Sequence, residues 1–135
     1  MLKKTVTYED FNGATVTEDL YFNLTKSELT NLQLSREGGF DTYIQRIVDA
    51  KDTPELAKAF RDIILMSYGE KSADGKRFIK LASDGHKLAD DFSQSAAFDE
   101  LYMELITDDK AAAAFINGVV PQNVEKPNNH PALKG

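Results

Sequence analysis

The histidines are the residues with the clearest potential for chemistry in this sequence, since imidazole can bind metals or transfer protons near neutral pH. There are two, His86 and His130, and neither has carboxylates at a spacing typical of metal ligands. The chain has no cysteine, which excludes disulfides and thiolate metal sites. The sequence therefore predicts no metal site.

The acidic pairs Asp90-Asp91 and Asp108-Asp109 could in principle supply an acid and a base. Adjacent residues point in different directions on a helix, however, so we interpret these carboxylates as solvated or helix-capping groups. No serine stands in a nucleophile elbow, and no glycine-rich stretch has the lysine and spacing of a phosphate loop. We predict no catalytic residue, no cofactor and no enzymatic activity.

The basic cluster of Lys76, Arg77 and Lys80 is small, and we interpret it as a solvated loop. It lies in a chain of net charge −6, which argues against nucleic acid or an anionic membrane as the main partner. The longest apolar runs are too short to span a bilayer. Lys3 and Lys4 are not followed by the apolar run of a signal peptide.

The elements that must position any site are organised around a helix predicted over residues 53–69. Thr53 is a suitable N-cap, Pro54 fits the first helical position, and Gly69 is expected to end the helix in the left-handed conformation. Because this is the most apolar helix of the chain, we expect it at the centre. At helical spacing, one stripe contains Leu56, Ala57, Phe60, Ile63, Ile64 and Tyr68.

Residues 2–24 predict a β-hairpin, since apolar and polar residues alternate on both sides of Asn12 and Gly13. A two-residue turn would divide the apolar side chains between the two faces. A three-residue loop with Gly13 in the left-handed region instead aligns Tyr8 with Val16 and gathers these side chains on one face. An isolated hairpin is only marginally stable, so this face must pack on the helices or on another copy.

Shorter helices are predicted on both sides of the central one. The spacing of Thr25 and Glu28 indicates a capping box at the start of the first, Ser95 is expected to cap another, and Gly118 to end the last. The predicted spans are 25–35, 41–50, 86–93, 96–106 and 107–118. In helix 96–106 the expected inward stripe is Phe98, Leu101, Tyr102, Leu105 and Ile106.

The connection after the central helix carries turn signals at Asp74-Gly75 and at Ser83-Asp84-Gly85. Between them, Phe78 and Ile79 could form a short strand or simply hold the loop against the core. We leave both possibilities open at this point.

Together these elements predict an α+β fold, mostly helical, with an N-terminal β-hairpin followed by a bundle of about five to six short helices. A chain of 135 residues with 41% hydrophobic and 28% charged residues suits one soluble domain. We expect that domain over residues 1–121, with the hairpin at 2–24 and the helical part at 25–120. Residues 122–135 contain few apolar side chains and predict a disordered C-terminal tail.

A series of short motifs adds a resemblance. It comprises residues 7–13 (TYEDFNG), 17–26 (TEDLYFNLTK), 44–48 (IQRIV), 68–72 (YGEKS), 74–80 (DGKRFIK), 92–95 (FSQS) and 114–121 (AFINGVVP). In this order, and over residues 2–121, the series resembles the tail assembly chaperones of long-tailed, siphovirus-type bacteriophages. The stretch 81–87 departs from the family pattern because it is more loop-like, which affects where the following helix begins.

The resemblance implies a non-enzymatic protein that acts in the cytoplasm of the infected host cell during tail morphogenesis. Such proteins bind the tape measure protein, keep it soluble and help tail tube subunits assemble around it. They are not expected in the mature virion. The resemblance also implies a longer form of the chain produced by ribosomal frameshifting.

To bind a partner of this kind, the chain would need an accessible apolar patch on its own surface. Leu65, Met66 and Met103 lie at or beyond the edges of the helix stripes, and methionine adapts to varied apolar surfaces. We predict that these residues contact the partner, with core filling as the alternative for the methionines. The edge of the hairpin could also pair with another copy and give a homo-oligomer.

Two other functional classes remain open. The first is a structural tail protein, such as a terminator or connector subunit, which would be present in purified particles. The second is a small ligand-binding protein or enzyme, which would need a pocket with converging polar groups.

Overall fold

The computed structural model describes residues 1–35, 38–39, 42, 45 and 53–121. The strands form one antiparallel sheet in the order β1-β2-β3-β4, and the predicted α+β class with an N-terminal hairpin is confirmed. In chain order the elements are β1 (Leu2–Glu9), β2 (Thr15–Phe22), α1 (Lys26–Ser35), α2 (Thr53–Ser67), β3 (Tyr68–Lys71), β4 (Phe78–Ile79), α3 (Leu88–Phe92), α4 (Ala96–Thr107) and α5 (Asp109–Val119).

The hairpin has the predicted three-residue loop and register. Tyr8 pairs with Val16, and Gly13 adopts a φ of 85°. The Gly13 amide donates to the carbonyl of Asp10 at 3.0 Å, and the Asp10 carboxylate accepts from the Ala14 amide at 2.9 Å. Left-handed geometry of this kind is accessible to glycine without a steric penalty, so the local sequence is sufficient to set the register.

The apolar face of the hairpin packs directly on the helices. Val6, Leu20 and Phe22 are buried, with relative exposures of 7%, 5% and 0%. The Phe22 ring lies 5.9 Å from the ring of Phe92 in α3 and 5.1 Å from that of Phe115 in α5. Of the two possibilities for this face, packing on the helices is the one observed.

The end of α2 differs from the prediction. The helix stops at Ser67, and the next residues form strand β3, which was not among the predicted elements. Gly69 does not adopt a positive φ. A Cβ atom at Gly69 would lie 2.6 Å from Cε2 of Phe78 and 2.7 Å from the carbonyl oxygen of Ile79. Glycine is therefore needed at this position because β4 approaches closely, and not because a helix ends there.

Phe78 and Ile79 form the short strand that was one of the two possibilities. Ile79 pairs with Glu70 and Phe78 with Lys71. The preceding turn at Asp74-Gly75 is also confirmed. Gly75 has a φ of 74°, and its amide donates to the carbonyl of Ser72 at 2.9 Å.

The two C-terminal helices have the predicted N-caps. The Ser95 hydroxyl accepts from the Phe98 amide at 3.1 Å, and the Asp108 carboxylate accepts from the Lys110 and Ala111 amides. These bonds satisfy backbone donors that a helix leaves free at its start.

Two details of these helices correct the prediction. Ile106 is 38% exposed, because it lies about 100° of helix rotation beyond the buried Leu105. Gly118 does not end the last helix but lies inside α5, which continues for one more residue. A Cβ atom there would lie 2.8 Å from Cδ1 of Leu2, so this glycine allows the start of β1 to approach the helix.

The helix predicted over 41–50 lies outside the described residues, apart from the helical Thr42 and Gln45. The predicted tail at 122–135 also lies outside them. The domain boundary at residue 121 stays a prediction. None of the described helices is long and apolar enough to cross a membrane.

Candidate functional site

A groove of about 480 Å³ lies beside the C-terminal half of α2. We call it the α2 groove. Its apolar and aromatic lining residues are Leu65, Met66, Tyr68, Leu81 and Ala89. Its charged lining residues are Asp62, Lys80, Lys87 and Asp90. Leu81 is 55% exposed, so part of the apolar lining is accessible to a partner.

A tight turn between β4 and α3 builds one wall of the groove. Leu81 forms a β-bridge with Lys87, and the Leu88 amide donates to the carbonyl of Lys80 at 2.9 Å. Gly85 adopts a φ of 94° within this turn. The helix predicted from residue 86 therefore begins at Leu88, and the loop-like stretch brings Lys80, Leu81 and Lys87 to the same side of the molecule.

The Lys80 ammonium joins three separate parts of the fold at the groove. It donates to both carboxylate oxygens of Glu28 at 2.9 Å, to the carbonyl of Asn23 at 2.9 Å and to the carbonyl of Met66 at 3.0 Å. The interpretation of Lys80 as a solvated loop residue is thus wrong. The acceptors lie far from it in sequence and come together only through tertiary packing.

Glu28 has two roles at this position. It forms the predicted capping box, in which the Thr25 amide donates to its carboxylate at 2.8 Å and its own amide donates to the Thr25 hydroxyl at 3.2 Å. Burial alone raises the pKa of the Glu28 carboxyl, but the bonds from Lys80 and Thr25 outweigh burial and leave this pKa below its ordinary value. The carboxylate is therefore held in its charged form at neutral pH.

The three residues predicted to contact a partner do not lie together. Leu65 and Met66 both line the α2 groove and are partly buried against the core. Met103 lies on α4, is 49% exposed and is not among the lining residues. Their role in partner binding stays a prediction.

A family model described as phage tail assembly chaperone matches residues 1–132 of the chain. The chain belongs to the phage tail assembly chaperone family. No curated protein and no solved structure matches it. The family indicates a non-enzymatic role with other tail proteins as partners.

The histidine of this tail assembly chaperone that lies within the described residues is held by two carboxylates. His86 contacts Asp84 at 2.6 Å and Asp91 at 2.7 Å. The Asp91 side chain is still 70% exposed, so its interpretation as a solvated residue is confirmed. The hydrogen bonds to Asp91 and Asp84 raise the pKa of His86 to about 8. Near neutral pH the ring is mainly protonated and has no lone pair to accept a proton, which makes it poorly suited as a general base.

The described part of the chaperone also contains no group of three or more acidic, histidine or cysteine side chains arranged to hold a metal ion. The α2 groove is an accessible feature of this part of the chain. Lys80, Leu81 and Lys87 are groove residues that the sequence did not predict. A usable signal for Leu81 was a large apolar residue two positions before the Ser83-Asp84-Gly85 turn.

Proposed function

We propose that this tail assembly chaperone binds the phage tape measure protein through the α2 groove, keeps it soluble and promotes assembly of the tail tube around it. The observation that carries the proposal is an accessible leucine, Leu81, beside Leu65 and Met66 in a groove that also contains charges of both signs. Tape measure proteins are long, largely helical chains with apolar stripes. A groove with apolar and charged lining suits one face of such a helix.

The charge distribution supports the same role. Of the charged lining residues, Lys80 is already bonded to Glu28 and Asp62 to Lys58. Lys87 and Asp90 can pair with polar residues of either sign beside the apolar stripe of a bound helix. The net charge of −6 favours solubility of the complex. A surface of this kind protects an aggregation-prone chain without requiring catalysis.

We further propose that the chaperone acts in the host cell cytoplasm and leaves before the virion is complete. The tail tube protein and a longer, frameshifted form of the chain are additional partners in this proposal. Met103 provides a second, separate contact on α4, in keeping with a partner that is much longer than the groove.

The central test is co-expression with the tape measure protein of the same phage, comparing wild type with Leu81→Ser. Because Leu81 is 55% exposed, the substitution removes apolar contact area from the groove with little loss of core packing. Losing one leucine contact of this size weakens binding by roughly tenfold. The matched control is Leu34→Ser on α1, since Leu34 is 80% exposed and does not line the groove.

We expect the tape measure protein to remain soluble and co-elute on size-exclusion chromatography with wild type and the Leu34 variant, and to have a smaller soluble, co-eluting fraction with the Leu81 variant. Equal solubility with both variants would refute the groove as the binding site. Precipitation with wild type and also with the longer form would refute the chaperone activity itself. Mass spectrometry of purified particles should not detect the chain, whereas a structural tail protein would be detected.

The predicted partner contacts at Leu65, Met66 and Met103 are tested in the same assay. Leu65→Ser together with Met66→Ser should reduce tape measure solubility, and Met103→Ser should do so independently of the groove. Since Leu65 and Met66 also pack against the core, thermal unfolding of this double variant must accompany the solubility measurement. Unchanged solubility with all three positions substituted would exclude them as partner contacts.

A further inference from the structure

Strand β1 is a long, regular edge of the sheet. Within the described part of the chain, β2 is the one strand that pairs with it. The strand has eight residues, Leu2–Glu9, and contains no proline. Edges of this length offer unpaired backbone groups to another chain, and natural proteins usually block them or use them.

The register identifies which backbone groups point outward. The Asp10 amide donates to the carbonyl of Ala14 at 2.8 Å, and hydrogen-bonded pairs recur at every second residue of an antiparallel ladder. The even-numbered residues of β1 therefore bond to β2. The residues whose N–H and C=O groups face the free edge are Lys3, Thr5, Thr7 and Glu9, and all four side chains are exposed.

The side chains along this edge are complementary to those along the same edge of a second, antiparallel copy. In an antiparallel pairing of two copies centred on Val6, Lys3 lies opposite Glu9 of the partner subunit, and Thr5 lies opposite Thr7 of the partner subunit. The two-fold axis generates each contact twice. Centring the pair on Thr5 or on Thr7 instead leaves Lys3 without an opposite charge.

The ends of the strand support the same register. Met1 is 57% exposed and Phe11, in the hairpin loop, is 84% exposed. Pairing centred on Val6 brings Phe11 level with Met1 of the partner subunit at both ends of the interface. Each of these large apolar side chains would then be shielded by the other, which accounts for an aromatic residue at the tip of a hairpin.

We propose that two copies of this chain associate through their β1 strands in an antiparallel, two-fold pairing centred on Val6, which continues the sheet across both copies. The interface consists of backbone hydrogen bonds between the edges, two Lys3–Glu9 ion pairs and the Phe11–Met1 contacts. It leaves the α2 groove of each copy uninvolved, so the proposal is independent of tape measure binding.

The test is sedimentation equilibrium of the full chain over a range of concentrations. Lys3→Glu places like charges opposite each other twice, and the dissociation constant of the dimer should rise by roughly tenfold or more. Combining Lys3→Glu with Glu9→Lys exchanges the charges and should restore the wild-type constant. Lys26→Glu, at an exposed position of α1, changes the net charge equally and should leave the dimer unchanged.

Lys3 is exposed and its nearest carboxylate, Asp19, is 4.0 Å away, so these variants should fold normally; circular dichroism and thermal melting verify this. A wild-type chain that stays monomeric up to roughly 1 mM would overturn the proposal. So would a Lys3→Glu variant that dimerises as strongly as wild type. Failure of the charge exchange to restore association would refute the register centred on Val6.

Discussion

Replacing Lys80 by methionine should destabilise the fold strongly, although the residue lies in a connecting segment. Methionine keeps the unbranched apolar stem but removes the ammonium that contacts Glu28, Asn23 and Met66. The change removes the ammonium donor from two carbonyl groups and from one partly buried carboxylate, which then keeps the Thr25 amide as a donor. A polar group that is removed from water and loses a hydrogen-bond donor lowers the free energy of unfolding.

The magnitude can be worked from the geometry. Hydrogen bonds that involve a charged group contribute about 1.5–3 kcal/mol each. Both side chains retain some exposure, 22% for Lys80 and 35% for Glu28. Solvent therefore screens their ion pair, and its contribution to stability is closer to the smaller one of a surface pair. For the whole set of contacts we expect a loss of about 3 kcal/mol in the free energy of unfolding. For a chain of 135 residues this lowers the melting temperature by about 10 °C.

The assay is urea unfolding of wild type, Lys80→Met, Glu28→Gln and the double variant, with circular dichroism as the signal that reports unfolding. Glutamine keeps an acceptor for the Thr25 amide, so the cycle isolates the contact with the ammonium. We expect a coupling energy of about 1–2 kcal/mol. The exposed Lys76→Met serves as the control and should change stability by less than about 0.5 kcal/mol.

The dependence on pH gives a second readout. Because the pKa of Glu28 in the folded state is below its ordinary value of 4.5, the stabilisation is present above that value and is lost as pH falls through the folded-state pKa. The stability difference between wild type and Lys80→Met should therefore shrink in acid. If Lys80→Met costs no more stability than Lys76→Met, or if the coupling energy is zero, then Lys80 does not stabilise the fold through these contacts.

Two further predictions concern the histidine and the two closely approached glycines, Gly69 and Gly118. Since the pKa of His86 in the folded state, about 8, exceeds the ordinary value of 6.5, its stabilisation should be complete below pH 6.5 and lost as pH rises through about 8. An NMR titration midpoint at or below 6.5 would contradict this, and His86→Asn should remove that pH dependence. Gly69→Ala should cost about 1–3 kcal/mol, because its Cβ would meet the Phe78 ring and a β4 carbonyl. Gly118→Ala should cost less, because its Cβ would meet the movable end of the Leu2 side chain; equal costs in urea unfolding would argue against this reading.

The hairpin and the helix starts were accessible from sequence because their causes are local. The register follows from alternation with period two and from Gly13, whose φ of 85° is readily available to glycine. The caps at Thr25, Ser95 and Asp108 lie within three residues of the amides that they accept from. Each of these signals is contained in a short window of the chain.

The glycines at 69 and 118 show where local reasoning fails. Both were expected to end helices, which is a common role of glycine. Instead each lies where another element passes too closely for a Cβ atom, β4 in the first case and Leu2 of β1 in the second. The same residue type satisfies both requirements, and only the position of the neighbouring element distinguishes between them.

Local patterns were enough to predict the fold class, the hairpin register, most helix starts and the resemblance that led to the family. Three features depended on tertiary packing. Tyr68–Lys71 forms a strand, the Lys80 ammonium donates hydrogen bonds to distant segments, and Leu81 lies beside Leu65 and Met66 in a groove. The physical reason is the distance in sequence between the interacting groups. Alternation, caps and turns act over a few residues, whereas a groove or a shared ammonium depends on where the whole chain places its separate segments.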